Sequence, residues 1–359
     1  MDARYSRQVA LPGFGLHAQR ALAASRVLVI GAGGLGSTVI PALAAAGVGT
    51  IAVVDDDTVE LSNLHRQLIH GIADVGRSKT RSAAEKVAAL NPDTRFIAVE
   101  ERLTSSTALA LFADYDVVVD GSDNFATRYL ANDAAVLTDI PLVWGSVSQY
   151  GGQVGVAWAA RGPHYRDLFP VAPPPGSVPS CEVGGVLPTV VATVGSIMAT
   201  EVIKIVTGVG TPLIGRVTVV DALSGGFREL SYLADPTASP ITELIDYELF
   251  CGIAPPAVTT ATSLTPAELA ATTDAITLLD VREPWEAAIV SLTGSLLMPL
   301  ATLDPTALDP AKPVVVYCHH GIRSAIARAA LESAGLDARH LAGGIDAWAR
   351  DLDPAMARY

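Results

Sequence analysis

Apolar residues fall in short runs separated by stretches with helical spacing. RVLVI at 26–30, TIAVVD at 50–55, RFIAVE at 95–100 and DVVVD at 116–120 alternate with helical stretches through Leu43 and from about Ser78 to Leu90. That order predicts an α/β fold with a Rossmann-like, doubly wound and mostly parallel sheet. After Pro141, PLVWGSVSQYGGQVGVAWA places paired short runs around Gly151 and Gly152, which predicts an antiparallel, hairpin-like extension. PVAPPPGSVPSCEVGG then reads as an extended loop. GIAPPAVTTATS, at 252–263, has neither charge nor periodicity and marks a boundary. The expected units are 1–253, a linker at 254–263, and 264–359. The second unit reads as a small α/β domain, with strands ITLLDV and VVVYC, a helix in SAIARAALESAG, and a Gly-Gly turn before IDAWAR.

Two uncharged runs, Val27–Val54 and Val183–Thr200, have the length of membrane spans. Glycines and a proline punctuate each, so a buried βαβ opening and a buried helix opening are expected instead. With 359 residues, half of them hydrophobic and 17% charged, the chain is too apolar for disorder. Its net charge of -13, with no basic stripe, argues against nucleic acid or an anionic membrane as a partner. The three cysteines form no Cys-x-x-Cys pair, which suits a reducing compartment. The charged start, MDARYSRQ, precedes no apolar stretch of signal type, so the expected location is the cytoplasm.

GAGGLG, Gly31 to Gly36, follows a strand and opens a helical stretch, so backbone amides and a helix N-terminus can meet phosphate oxygens. The same turn serves plain βα packing, or NAD binding when an acid such as Asp55 ends the next strand. It leads to Ser37 and not to lysine, which excludes a Walker A loop. DDDTVELSNLHRQ, Lys79 and DGSDNFATR change the weighing. Arg66 and Lys79 can neutralise phosphates and Asp123 can hold Mg²⁺, which an ATP site needs and a hydride-transfer site does not.

RYSRQ, GAGGLG, DDDTVELSNLHRQ, DGSDN and SCEVGGVL occur in this order. From about Arg4 to Gly252 the chain thereby resembles the E1-like adenylyltransferases of the MoeB and ThiF family, which activate ubiquitin-fold sulfur carriers. The resemblance implies that Gly34 approaches the phosphates and Asp55 takes the ribose hydroxyls. Asn63, Arg66 and Lys79 would contact the triphosphate, and Asp123 would bind Mg²⁺ with Asn124 beside it. Arg7 matches a residue supplied across a dimer interface and so implies a homodimer; taken alone it is also a candidate for a surface ion pair. A carrier's terminal glycine carboxylate is already ionised and attacks the α-phosphate without a general base, so catalysis reduces to positioning and charge neutralisation.

Cys318 ends VVVY and opens CHHGIRSA, where loop amides, the next helix and Arg323 would stabilise a thiolate. DVREPWE, this loop and HLAGGIDAW make the second unit resemble a rhodanese domain. Four residues separate Cys318 from Arg323, a loop tighter than that of the related Cys-x5-Arg phosphatases. Cys318 is therefore expected to carry a persulfide, while His319 and His320 either assist or are simply exposed. Cys181, in SCEVGG, is either a packed small residue or, by the family resemblance, a cysteine that joins the carrier as thioester or disulfide. Cys251 has no cationic or loop context and is expected to be packed.

The family ordinarily has two Cys-x-x-Cys pairs around a structural zinc. Here the first place reads PHYRDLF, with His164 and Asp167, and DPTASPITELIDYELF has no cysteine, so no structural zinc is expected. Pro188 stands where related chains tend to have a small residue. The expected activity is ATP-dependent adenylation of a carrier ending in Gly-Gly, then sulfur transfer from Cys318. Thiosulfate or a cysteine desulfurase would supply the sulfur, for molybdopterin, thiamine, cysteine or a natural product. The alternatives are an NAD-dependent oxidoreductase, opposed by Arg66, Lys79 and Asp123, and a non-catalytic sulfur-relay scaffold, opposed by the intact nucleotide residues.

Overall fold

Strand β1 (Arg26–Ile30) is buried at every position after Arg26 because both faces of its sheet are covered. Val27 and Val29 enter one apolar core, and Leu28 and Ile30 enter another. β2 (Thr50–Val54) and β4 (Val117–Asp120) divide their side chains in the same way, so the period of two is present although every position is apolar. In this computed structural model, residues 3–173, 184–251, 263–272 and 276–358 are described. The chain divides into two compact units, Met1–Ala254 and Pro255–Tyr359. Residues 252–262, which hold most of the expected 254–263 linker, lie outside the described residues.

The first unit carries an eight-stranded sheet. With β3 (Arg95–Val99), β5 (Leu142–Ser148), β6 (Gly151–Ala157), β7 (Arg216–Asp221) and β8 (Gly226–Ser231), the order is β3-β2-β1-β4-β5-β6-β7-β8. The pairs from β3 to β5 are parallel, and those from β5 to β8 are antiparallel. The hairpin anticipated around Gly151 joins β5 and β6, with Gln149 taking the left-handed conformation (φ 51°) in its turn. Successive crossovers leave β1 in opposite directions, toward β2 and toward β4. This opens a crevice at the carboxyl ends of the two strands, where such sheets bind ligands.

The helix Pro188–Thr207 is the one described helix long and apolar enough to cross a membrane. It buries Val190, Val194, Met198 and Val202 in the core beneath the sheet. Pro188 occupies its first turn, where no backbone N–H is needed.

The second unit has a five-stranded, all-parallel sheet. Its order is β11-β10-β12-β13-β9, from β9 (Ser263–Leu264), β10 (Thr277–Asp280), β11 (Leu296–Leu297), β12 (Val314–Tyr317) and β13 (Ala338–Leu341). β9 and β11 are two residues long, too short for any periodicity in the sequence. Arg282 is fully buried on the Asp280 carboxylate, with Nε at 2.9 Å and Nη2 at 2.6 Å, and the Tyr317 hydroxyl donates to the same carboxylate. Burial of that charge is tolerated because all three groups are hydrogen-bonded.

The helix Gly36–Ala46 starts directly against the preceding turn. A Cβ built on Gly36 would lie 2.0 Å from the Gly31 carbonyl oxygen, so only glycine lets helix and strand approach this closely. Gly36→Ala is therefore expected to cost about 2 kcal/mol through overpacking. The unfolding midpoint of this unit should fall by roughly 4 °C or more. A thermal melt checks this, and an unchanged midpoint would show that the turn has room.

Candidate functional site

The crevice beyond β1 and β4 holds a polar cleft of about 210 Å³. Of the residues expected to bind nucleotide, Asn63, Arg66, Lys79 and Asp123 line it, together with Asp57, Glu60 and Gln67. Gly34 sits beside them, since a Cβ there would lie 3.9 Å from the Arg66 side chain and 3.0 Å from Val191 Cγ1. Asp55 closes the glycine turn from below. One carboxylate oxygen accepts from the Ala32 amide at 2.7 Å and the other from the Asp57 amide at 2.8 Å. Burial pushes the Asp55 carboxyl above its ordinary pKa, partly opposed by Lys79.

The cations are held by neighbours. Lys79 opens the helix Lys79–Leu90, is almost fully buried, and donates to Asp57 at 2.6 Å. Arg66 donates to Asn63 Oδ1 at 2.8 Å, and Asn63 donates in turn to Glu60. Asn124, expected beside Asp123, caps the helix Phe125–Thr138, its Oδ1 accepting from the Thr127 amide at 2.9 Å. The Asp123 loop is fixed from within by Arg128, which is buried and donates to Asp120, to the Ser122 carbonyl at 3.0 Å and to the Gly145 carbonyl at 2.9 Å.

Arg7 is exposed on the short helix Ser6–Val9 and does not line the cleft. Its neighbours are fixed: the Tyr5 hydroxyl accepts from Asn91 at 2.8 Å, and Gln8 donates to Gln19 and to the Ala46 carbonyl. RYSRQ therefore anchors through Tyr5 and Gln8 and presents Arg7 outward. Cys181 lies outside the described residues.

His70 was not singled out from the sequence, and nothing in its apolar surroundings flagged it. It lies under the glycine turn, its Nε2 3.0 Å from the Ala32 carbonyl and its Nδ1 2.8 Å from Ser82 Oγ. The carbonyl requires a proton on Nε2, and the neutral ring with that tautomer accepts at Nδ1 from the Ser82 hydroxyl. Gln67 Oε1, also buried here, has no partner among the described residues, as suits a cleft built for a polar guest.

At the site of the missing cysteines, the Asp167 carboxylate accepts from the His164 amide at 2.7 Å and from the Asp235 amide at 3.0 Å. It ties PHYRDLF to the start of DPTASPITELIDYELF. Next to it, Asp133 takes both Arg166 Nε and Nη2, at 2.7 and 2.6 Å, and the Tyr247 hydroxyl at 2.7 Å. Cys251 is packed into the adjacent core, and burial pushes its thiol up.

In the second unit Cys318 is 1% exposed, and its sulfur accepts from the Gly321 amide at 3.1 Å. Ser324 Oγ stands 3.5 Å from the sulfur and donates to the Gly321 carbonyl. The Gly343–Gly344 turn presses on this loop: the Ile345 and Asp346 amides donate to the Cys318 and His319 carbonyls at 2.9 and 3.1 Å. Arg323 donates through both Nη atoms to Glu286, at 2.6 and 2.7 Å, so its charge is shared with that buried carboxylate. The rings of His319 and His320 stack at 3.8 Å, and burial followed by the neighbouring His320 lowers His319 to about 4.

Burial lowers the pKa of His70 below its unfolded value. Its contribution to stability is full above about pH 6.5 and shrinks as the pH falls below that, because the unfolded chain takes up the proton first. His70→Ala is expected to cost about 1–3 kcal/mol at pH 7.5, and less at pH 5.5. Urea denaturation of both proteins at the two pH values measures this, and a penalty that grows toward low pH would overturn it.

Residues 5–239 match the ThiF family and residues 265–351 match the rhodanese-like domain. The chain is 48% identical to a protein of Mycobacterium tuberculosis named "Probable adenylyltransferase/sulfurtransferase MoeZ", over 99% of this chain and 95% of that protein. It is also 48% identical to the sulfur carrier protein adenylyltransferase of Thermus thermophilus, over 70% of this chain and 96% of that one. Among solved structures, E. coli MccB with MccA-N7isoASN shares the fold, with a TM-score of 0.60 at 21% identity over 67% of this chain and 75% of that one. The chain belongs to the ThiF family and carries a rhodanese-like domain behind its ThiF domain.

Proposed function

We propose that this protein adenylates the C-terminal glycine of a ubiquitin-like sulfur carrier and then transfers sulfur to it. The observation that carries the reading is the convergence of Asn63, Arg66, Lys79 and Asp123 on one cleft, in a chain that also holds a cysteine in an amide-lined rhodanese loop. The names of the relatives from Mycobacterium tuberculosis and Thermus thermophilus support both halves.

Arg66 and Lys79 take the triphosphate, Gly34 gives it close backbone approach, and Asp55 takes the ribose. The carrier carboxylate attacks the α-phosphate, the new O–P bond forms, and pyrophosphate leaves. With no proton to remove, the cleft supplies position and positive charge. The carboxylate donors of the cleft suit Mg²⁺; Asp123 would hold the ion, which supplies charge neutralisation at the phosphates. Asn124 serves by fixing the helix that follows Asp123. Arg7, presented outward, completes the site of a second copy in a homodimer.

The Cys318 persulfide then attacks the acyl carbonyl and AMP leaves. The resulting acyl disulfide is opened by the proposed Cys181 thiolate, which attacks the Cys318 sulfur, forms a Cys181–Cys318 disulfide and releases the thiocarboxylate; a small-molecule or protein dithiol then reduces that disulfide. Arg323, in the first turn of the helix that follows the loop, is held by Glu286 and supplies positive charge near the sulfur. Thiosulfate or a desulfurase persulfide would load Cys318. The cytoplasm is the proposed compartment.

The test is carrier-dependent exchange of labelled pyrophosphate into ATP, using candidate small proteins ending in Gly-Gly. Asp123→Ala is expected to lower exchange at least about a hundredfold, the scale of losing one electrostatic contact to the transition state. Cys318→Ser should stall the reaction at the adenylate, with no thiocarboxylate in the carrier's mass spectrum. No exchange with any carrier, while Cys318 still takes sulfur from thiosulfate, would leave the relay scaffold as the better account.

A further inference from the structure

The Cys318 loop carries two imidazoles that the proposed sulfur chemistry leaves unused. His319 and His320 lie with Asp346 so that one ligand atom from each is within 4.8 Å of the other two. The loop after β12 supplies the histidines, and the start of the helix Gly344–Asp351 supplies the carboxylate. The backbone locks these two pieces together, through the Asp346 amide on the His319 carbonyl at 3.1 Å and the Ile345 amide on the Cys318 carbonyl at 2.9 Å. Metal bonds of about 2.0–2.2 Å require these ligand atoms to draw closer together, which breaks the stack of the two imidazoles. His320 is exposed and free to swing out of its stack.

We propose that His319, His320 and Asp346 form a binding site for one divalent transition-metal ion of the zinc class at the rim of the Cys318 loop. The donor set decides the class: two imidazoles and one carboxylate suit zinc, cobalt or nickel, whereas magnesium and calcium take oxygen shells. Asp55, Asp56 and Asp57, the other such trio among the described residues, offer only carboxylates and lie at the ATP cleft, so they do not compete for this class. Arg358 donates to Asp346 at 2.8 and 3.2 Å and orients it, as outer-shell partners of metal-binding carboxylates do.

Three protein ligands leave a coordination position open. The outer sulfur of a Cys318 persulfide is an anionic ligand for such an ion, so a bound metal holds it back from the acyl-adenylate. Loading thus reversibly blocks sulfur transfer. This consequence rests on the persulfide reading of Cys318, whereas the site itself does not.

The test is a Co²⁺ titration of the full-length Cys318→Ser protein, which removes the thiol as a ligand. Visible d–d bands that saturate at one equivalent and are bleached by Zn²⁺ are expected. His320→Asn and Asp346→Asn, each made in that background and each shown by circular dichroism to be folded, should weaken binding at least tenfold. Absent bands, or equal affinity in both variants, overturn the site. In protein with Cys318 intact, Zn²⁺ should inhibit thiosulfate sulfurtransferase activity, with chelator restoring it, and His320→Asn should need at least tenfold more Zn²⁺. Equal inhibition of that variant means that zinc acts on the sulfur directly, which overturns the blocking consequence. Loss of sulfurtransferase activity in metal-free protein would instead count against the Cys318 reading while leaving the Co²⁺ result standing.

Discussion

Both units depend on a backbone approach that admits no side chain. In the first, the start of the helix Gly36–Ala46 touches the Gly31 carbonyl, where a Cβ would come within 2.0 Å. In the second, Gly344 sits against the loop after β12, where a Cβ would lie 2.2 Å from the His319 oxygen and 2.4 Å from that of Cys318. Each contact brings a helix N-terminus within reach of a strand's carboxyl end, and each reactive group hangs from it. The glycine turn sets the floor of the nucleotide cleft, with Asp55 and His70 beneath it. The Gly343–Gly344 turn holds the carbonyls of Cys318 and His319, which leaves the Gly321 amide to point at sulfur.

The cleft keeps its cations paired before any phosphate arrives. Lys79 is buried and would carry an uncompensated charge without Asp57, whose own side chain is two-thirds exposed. A triphosphate can take the place of a carboxylate that water already solvates, so the exchange costs little at Asp57 and leaves Lys79 where it was. The same logic holds for Arg66 and Asn63, where the partner is neutral and gives up one hydrogen bond. Preorganisation of this kind favours a reaction whose chemistry is charge redistribution without proton transfer.

The centre of the sheet was legible in the sequence because β1, β2 and β4 are buried on both faces and appear as unbroken apolar runs, whereas the exposed edge strand β8, GFRELS, shows no such run and was not read, nor was β7 beside it. Asp55 and Asp120 mark the carboxyl ends of β2 and β4, and the glycine motif marks that of β1. The cleft was legible as a set of residue types but not as a set of partners. Asn124 spends its oxygen on a helix cap, Lys79 meets Asp57, and Arg323 meets Glu286, 37 residues away. Pairings of that kind depend on tertiary geometry that motif spacing does not encode. His70 and Arg128, which hold the two loops of the cleft, are invisible for the same reason: each reaches a backbone carbonyl distant in the chain, Ala32 for His70 and Gly145 for Arg128. β9 and β11 escaped because two residues cannot display a period.

The burial of Cys318 also favours a persulfide over a bare thiol as the transferring group. Cys318 is 1% exposed as a residue, which keeps its thiol from a carbonyl on a bulky carrier. Adding one sulfur moves the nucleophilic atom outward by a bond of about 2.05 Å, while the inner sulfur stays on the Gly321 amide. A persulfide thereby separates the atom that anchors from the atom that reacts.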